Sequence, residues 1–300
     1  MIGRFAPSPT GALHLGNLRT ALVAWLSARS QRGSFIVRME DLDRMTSSID
    51  VAKAQLEALD WLGLDWDQPV VYQSERFDRY DEAIEELRGR GLTYPCYCSR
   101  REIAAASVAP HGDSDGPYPG TCRHLKGEER AAREAAGRRP ALRLVAPRHV
   151  GTFDDGVFGT FTGWIDDVVL RRNDGVAAYN LAVVVDDAAQ GVTEVVRGAD
   201  LLASTPRQML LAELLGLPQM HYLHVPMVVG PDGSRLAKRR GEVTAADVQS
   251  RFTAAQVVGV LAHSLGLLGS PTPIAVNELV DLFDRTRLSG DPWMVNLSFG

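Results

Sequence analysis

The apolar positions of the chain change their period several times. "MIGRF" (1–5) is short and apolar enough for a buried strand, and Pro7 to Gly11 reads as a loop from its turn residues. From Leu18 onward, Leu18, Ala21, Leu22, Trp25 and Leu26 recur at helical spacing with one apolar face. Gly33 closes that helix, and "SFIVRME" (34–40) follows as a strand. Strand, helix, strand is the βαβ unit of a parallel sheet. Helices around 48–62 and 75–90 and a short strand near 92–95 continue the alternation.

The alternation then breaks. Residues 96–140 are rich in Cys, Gly, Pro, Arg and Ala, with little strand character. "PALRLVA" (140–146) and "DDVVLRR" (166–172) read as strands of an inserted segment. "AYNLAVVVDDA" (178–188) and "GVTEVVRGADLL" (191–202) read as a return to buried, Val-rich sheet with a turn between them. "QMLLAELLGL" (208–217) predicts a helix and "HVPMVVG" (224–230) a short strand, and the chain from about 244 is helical and amphipathic with a loose tail. The expected fold is α/β, a parallel sheet split by an inserted α+β segment, with a small helical C-terminal region. The corresponding divisions are 1–93 and 178–243 for the two halves of the sheet domain, 94–177 for the insert and 244–300 for the helical end.

Composition refines this picture. Three hundred residues exceed a typical single core, which implies two or three packed units with one cleft. The net charge of −5 gives no general attraction for nucleic acid, but it is unevenly spread. Residues 40–89 hold fourteen Asp/Glu against five Lys/Arg, whereas residues 94–150 hold ten Lys/Arg against six Asp/Glu. A basic segment inside an acidic protein suits a phosphate-facing module or, equally, a solvated basic surface. Arg4, Pro7 and Pro9 are incompatible with a secretory leader, and no run of about 18 apolar residues offers a membrane span. Three cysteines make no disulfide framework. A cytoplasmic location, without membrane contact, is the expectation.

Candidate chemistry begins at the opening loop. Ligands of an open parallel sheet bind at the carboxyl ends of its strands, so the loop after the first strand is the expected place for them. Gly16 removes a side chain where a ligand could approach the backbone. The amides of the helix start suit a phosphate, and His14 beside them can donate a hydrogen bond to a phosphoryl oxygen. Alone, "HLGN" is equally a helix cap. Arg4 and Arg197 end two strands, and two guanidinium groups there favour a dicarboxylic amino acid over its amide. Glu40 is a candidate anchor for an α-ammonium group, and Tyr179 a candidate hydroxyl on one wall. Salt bridges from the arginines to Glu40 or Asp41, and a core role for Tyr179, are the structural alternatives. Cys96, Cys98 and Cys122 have the spacing of a zinc knuckle, and His124 is the fourth ligand that ordinary zinc chemistry favours. Three reduced thiols without metal are the alternative.

The stretch "RFAPSPTGALHLGNLRTAL" resembles the first motif of class I aminoacyl-tRNA synthetases, with His14-Leu15-Gly16-Asn17 in the place of HIGH. Ser8 matches the glutamyl branch, where the glutaminyl branch normally carries a glutamate. "GSRLAKRRG" (233–241) is similar to the second motif, KMSKS, with Lys238 at its essential lysine, although Arg235, Ala237 and Arg239 depart from it. The resemblance implies a Rossmann-like catalytic domain. It implies His14, Gly16, Asn17 and Lys238 as catalytic residues, with His14, Gly16 and Lys238 on ATP and its Mg2+. It also implies Arg4, Ser8, Glu40, Tyr179 and Arg197 as the glutamate site.

"YNLAVVVDDAAQGVTEVVRGADLLASTPRQ" (179–208) is an especially close match, and "RGADLL" resembles the short, glutamyl-Q tRNA(Asp) form of this family. About fifty residues follow the second motif, too few for the usual anticodon-binding part. In the short form, glutamate is activated without tRNA and attached to queuosine in the anticodon loop of tRNA(Asp). The resemblance implies that Tyr118 completes a structural Zn2+ site with Cys96, Cys98 and Cys122, and that the chain is a monomer. The competing readings are a minimal glutamyl-tRNA synthetase charging the 3′ end of tRNA(Glu), and a non-catalytic tRNA-binding paralogue. A nucleotidylyltransferase of the same fold is the most distant of them.

Overall fold

The strand β1 (Ile2–Phe5) stands near the middle of a seven-stranded sheet in a computed structural model that describes residues 1–99, 101–103, 118–230, 233 and 243–295. Its neighbours are β2 (Ser34–Met39) on one side and β9 (Glu194–Gly198) on the other, both parallel to it. Outward from these lie β3 (Val71–Tyr72) beside β2, and β10 (His221–Val225) beside β9. The far edge is a hairpin, β6 (Val150–Asp155) and β7 (Gly159–Trp164), with β6 parallel to β10 and antiparallel to β7. The sheet is therefore parallel over six strands and mixed at one edge. Because β2 and β9 leave β1 in opposite directions, a crevice opens at the carboxyl ends of these strands.

Helix α1 (Leu15–Ser30) covers one face of β1 and β9, burying Leu15, Leu18, Leu22 and Leu26 completely or nearly so. Each such leucine contributes about 2 kcal/mol of burial. The same core takes in α2 (Ile49–Trp61) and the C-terminal helices α7 (Ala245–Gln249) and α8 (Ala254–Ser264). A second core gathers α3 (Phe77–Gly89), α5 (Tyr179–Ala189) and α6 (Thr205–Leu214). Between them in sequence, β4 (Thr93–Cys96), β5 (Ala141–Leu144) and β8 (Val169–Arg171) form a separate antiparallel sheet. The exposed helix α4 (Gly127–Ala135) lies in the same stretch of chain. Near the end of the described chain, β12 (Trp293–Met294) pairs with β11 (Val228–Val229).

Two expectations need correction, and one element was not foreseen. Residues 178–188 are helix, not sheet: α5 buries Leu181, Ala182, Val183, Val184, Asp186 and Asp187, on too many sides for an amphipathic period to survive. Its valines suit a strand locally, but tertiary packing overrides that preference. Of residues 191–202 only Glu194–Gly198 is strand, and Ala199–Ser204 turns as a 3-10 helix. The hairpin at 150–164 was hidden by its glycines. Gly151 and Gly163 are cross-strand partners, and a Cβ on either would meet Pro206 at 3.0 or 3.2 Å. Glycine there lets α6 pack directly on the hairpin.

Candidate active site

A cleft of about 620 Å³ occupies the crevice. Its walls include Arg4, Ser8, His14, Gly16, Asn17, Glu40, Tyr179 and Arg197, which brings together eight positions singled out from sequence. Lys238 lies outside the described residues. The chain is described again at Val243, whose carbonyl accepts the amide of Leu15, while Ala245 donates to the carbonyl of Leu13. These bonds tie the segment after the second motif to the first.

The loop after β1 is laced in place through its carbonyls. Glu40 donates its amide to Pro7 at 2.9 Å and Ser48 donates to Pro9 at 3.0 Å. The buried Gln55 of α2 donates to the carbonyls of Ser8 and Gly11 at 3.1 and 2.8 Å. Two prolines fit because the loop uses its acceptors rather than its donors. His14 is the N-cap of α1: its Nδ1 accepts the Gly16 amide at 3.1 Å, and Asn17 Oδ1 accepts the His14 amide at 3.1 Å. A ring accepting at Nδ1 carries its proton, when neutral, on Nε2. The expectation that the amides of this helix start receive a phosphate is corrected for Leu15 and Gly16, whose amides are engaged within the protein.

Beneath the cleft runs a buried ionic network. Arg4 meets Asp187 at 3.3 Å and donates to the Val196 carbonyl at 2.9 Å. Arg38, wholly buried, reaches Asp187 at 2.7 Å, Glu40 at 3.3 Å and Gln190 at 2.8 Å. Asp186 is held by Arg76 at 2.6 Å and by the hydroxyl of Tyr80 at 2.7 Å. Arg4, Arg38 and Arg76 thus face Asp186, Asp187 and Glu40, three cations against three anions. Burial raises the Glu40 carboxyl above its ordinary range, against the pull of Arg38 and Arg4. A cation brought to it from the cleft would favour its ionised form. Burial, with Glu40 nearby, likewise pushes the Tyr179 hydroxyl up, so that it stays protonated as a donor.

Arg197 differs from Arg4. It is 5% exposed and holds only neutral acceptors: His224 Nε2 at 3.1 Å, Gln208 Oε1 at 2.6 Å, Thr205 Oγ1 at 2.7 Å and the Leu201 carbonyl at 3.5 Å. No carboxylate lies within salt-bridge distance of it among the described residues. Among the described residues of the cleft wall, Arg197 thus carries a positive charge without an ion-pair partner. Arg38, Asp187, Gln55 and His224 were not singled out from sequence. The only signal was the Asp186–Asp187 pair set in an apolar run.

The cysteine sulfurs of Cys96, Cys98 and Cys122 lie within 4.8 Å of one another, a grouping that could hold a metal ion. The Tyr118 hydroxyl approaches Cys96 Sγ at 3.3 Å and Cys98 Sγ at 3.7 Å, and it accepts the Cys122 amide at 2.9 Å. The buried Arg143 guanidinium sits 3.7 Å from the centre of the tyrosine ring. His124 is exposed and outside this group.

Together the sheet, the crevice and the capped first motif define a class I aminoacyl-tRNA synthetase catalytic domain. The family model for "tRNA synthetases class I (E and Q), catalytic domain" matches residues 1–285. The chain is 56% identical over 294 residues to a glutamyl-Q tRNA(Asp) synthetase of Nocardia farcinica, covering 98% of this chain and 92% of that one. It is 45% identical over 243 residues to a glutamate–tRNA ligase of Geotalea uraniireducens, covering 79% of this chain and 51% of the relative. Among solved structures, a glutamate tRNA ligase from Elizabethkingia meningosepticum in complex with its amino acid superposes with a TM-score of 0.81 at 26% identity. That match spans 98% of this chain and 66% of the ligase. The chain belongs to the class I synthetase family, among its glutamyl-Q tRNA(Asp) synthetases, and is a ligase-type enzyme. No described helix is long and apolar enough to cross a membrane.

Proposed function

We propose that the cleft activates glutamate with ATP in the absence of tRNA and then passes the glutamyl group to queuosine in tRNA(Asp). In the first step a glutamate α-carboxylate oxygen attacks the α-phosphorus of ATP, and the bond to pyrophosphate breaks. In the second, a nucleophilic group of the queuosine base attacks the acyl carbon of glutamyl-adenylate, and AMP leaves with the bonding electrons. No covalent enzyme intermediate is needed, so positioning and charge stabilisation supply the acceleration.

The observation that carries the amino acid assignment is the uncompensated charge of Arg197. Glutamate brings two carboxylates and one ammonium, a net single negative charge, into a network that is otherwise balanced. Arg197 takes the side-chain carboxylate, with the Tyr179 hydroxyl and Arg4 beside it, and Glu40 takes the ammonium. Ser8 borders the same site. His14 and Gly16, joined by Asn17 and Lys238, serve ATP and its Mg2+. The basic stretch within 94–177 faces the tRNA. Support for the acceptor comes from the 56% identity to the glutamyl-Q relative over 98% of this chain, against 45% over 79% for the glutamate–tRNA ligase.

The thiol cluster fits a zinc ion. Three soft donors already converge, and a phenol oxygen lies against two of them. Cys96, Cys98, Cys122 and Tyr118 would hold it, and the metal would supply cross-linking rather than chemistry, since four protein donors leave no open position. It would pin a small cluster that has little apolar core of its own.

The test is glutamate-dependent exchange of pyrophosphate into ATP without tRNA. Exchange with glutamate, little with glutamine and none in Arg4→Ala is the expected pattern. Undiminished exchange in Arg4→Ala would contradict the assignment.

A further inference from the structure

The hairpin that the sequence concealed reaches Arg197 through one histidine. Asp155 ends β6, and β10 pairs with β6 at Tyr222 and with β9 at His224, opposite Arg197. The three side chains form a line across adjacent strands. Arg197 Nε donates to His224 Nε2 at 3.1 Å, and His224 Nδ1 meets Asp155 Oδ2 at 2.6 Å. A guanidinium N–H can only donate, so Nε2 must accept and the ring proton must sit on Nδ1, toward Asp155. Asp155 is itself immobilised, because it accepts the amides of Val157 at 2.9 Å, Phe158 at 3.0 Å and His224 at 3.1 Å. His224 is fully buried, stacked on Tyr222 and tilted against Phe153.

An aspartate–histidine pair with Thr205 Oγ1 at 3.3 Å from Nε2 has the composition of a nucleophile relay. Its geometry argues otherwise. Nε2 already receives the Arg197 hydrogen, Thr205 is buried, and His224 is absent from the cleft wall. What the pair can do is hold a guanidinium without neutralising it. Arg4 shows the contrasting solution, a carboxylate set directly on the arginine. A carboxylate directly on Arg197 would compete with the substrate, whereas an imidazole fixed in one tautomer orients the fork and leaves its charge available.

We propose that Asp155 and His224 are positioning residues that aim Arg197 at the substrate's side-chain carboxylate and thereby set the preference for glutamate over glutamine. This rests on the reading of the cleft as the glutamate site. Because both residues act through Arg197, their loss raises KM for glutamate and leaves the chemical step alone.

The experiment is tRNA-independent pyrophosphate exchange by the full chain with His224→Leu, His224→Gln, Asp155→Asn and Arg197→Ala. His224→Leu removes the acceptor, and the loss of one charge-assisted bond corresponds to about a 10- to 100-fold rise in KM for glutamate. KM for ATP stays unchanged, kcat stays within about threefold, and the glutamate-to-glutamine ratio falls by a similar factor. Gln at 224 offers an amide oxygen near the position of Nε2 and restores most of the loss, which a role in packing alone would not predict. Asp155→Asn is isosteric and carries the same test should His224→Leu fail to fold, with an expected rise in KM of about tenfold. Unchanged KM for glutamate in His224→Leu, or in Asp155→Asn where that variant stands in, overturns the inference. Equal damage to kcat and to KM for ATP in both His224 variants also overturns it. Arg197→Ala separates the two claims: if its KM for glutamate is unchanged, the cleft reading itself fails. If its KM for glutamate rises while that of His224→Leu stays at the wild-type value, only the positioning role fails.

Discussion

His14 Nδ1 and the Gly16 amide are 3.1 Å apart, so the ring expected to face ATP is also the cap of α1. The two roles are compatible because they use different nitrogens. They also explain the glycine: a Cβ at position 16 would stand 2.9 Å from His14 Cε1 and 3.0 Å from Nδ1. The ring is a side chain and can swing away, so Gly16→Ala should fold with a stability loss of about 1 kcal/mol from the weakened cap. Its kcat for pyrophosphate exchange should fall by about 100-fold, since a displaced donor no longer meets the developing charge. Thermal melting and exchange kinetics on the same preparation check both halves.

The two cleft arginines should fail differently. Removing Arg4 leaves Asp187 buried with only Arg38 as its cation, which costs on the order of 2 kcal/mol of stability as well as activity. Removing Arg197 takes away a buried cation that has no carboxylate partner but leaves the buried acceptors of His224 and Gln208 unpaired, so Arg197→Ala should lose about 1 kcal/mol, less than Arg4→Ala. It should nevertheless raise KM for glutamate by about 100-fold or more. Melting temperatures of both variants below wild type, with Arg4→Ala the lower of the two, are the expected outcome.

Acid should weaken the fold in two stages. Burial, aided by the nearby Arg197, holds the His224 imidazole below its ordinary 6.5. The unfolded chain therefore binds that proton more readily, and the stability tied to neutral His224 is complete above about 6.5 and declines as pH falls toward the depressed value. Asp155 is also lowered from 3.8: burial alone would raise it, but the His224 hydrogen bond and the Phe158 and Val157 amides outweigh that. Its contribution is present above about 3.8 and is lost as pH falls through the lower value. Melting curves of wild type and His224→Gln over this range should differ in the first stage, which the variant lacks, and in the second, because the variant also alters the hydrogen bond that lowers Asp155.

The thiol cluster makes a prediction about metal content. The purified protein should hold about one zinc ion, and Cys122→Ser should lose it with a lowered melting temperature. Burial, reinforced by the hydrogen bond with Cys122, pushes the Cys98 thiol up to about 12, so zinc binding must release a proton and should weaken as pH falls. Tyr118→Phe should weaken zinc retention against a chelator by about tenfold, while His124→Ala leaves it unchanged. Zinc loss in His124→Ala would move the fourth ligand to that residue.

What was legible in the sequence was local. The strand, helix, strand opening could be read because α1 has one apolar face and β1 and β2 are short and bounded by loops. The cleft residues were found because they sit in compact motifs. Helix α5 was misread because it is buried on several sides, although Gly191, with a φ of 67° just past its end, marked a helix stop. Arg38, Asp155 and His224 could not be read at all. Their partners lie 149 residues away for Arg38 and Asp187, and 69 for His224 and Asp155, and each looks like an ordinary strand or core position until the sheet order is known.

The most direct test of the account is the transfer of labelled glutamate, with ATP and magnesium, onto two pools of bulk tRNA. One pool comes from normal cells and the other from cells unable to make queuosine. Label confined to the queuosine-containing pool is the predicted result. Equal label in both pools would contradict it and identify instead a ligase charging the 3′ end of tRNA(Glu).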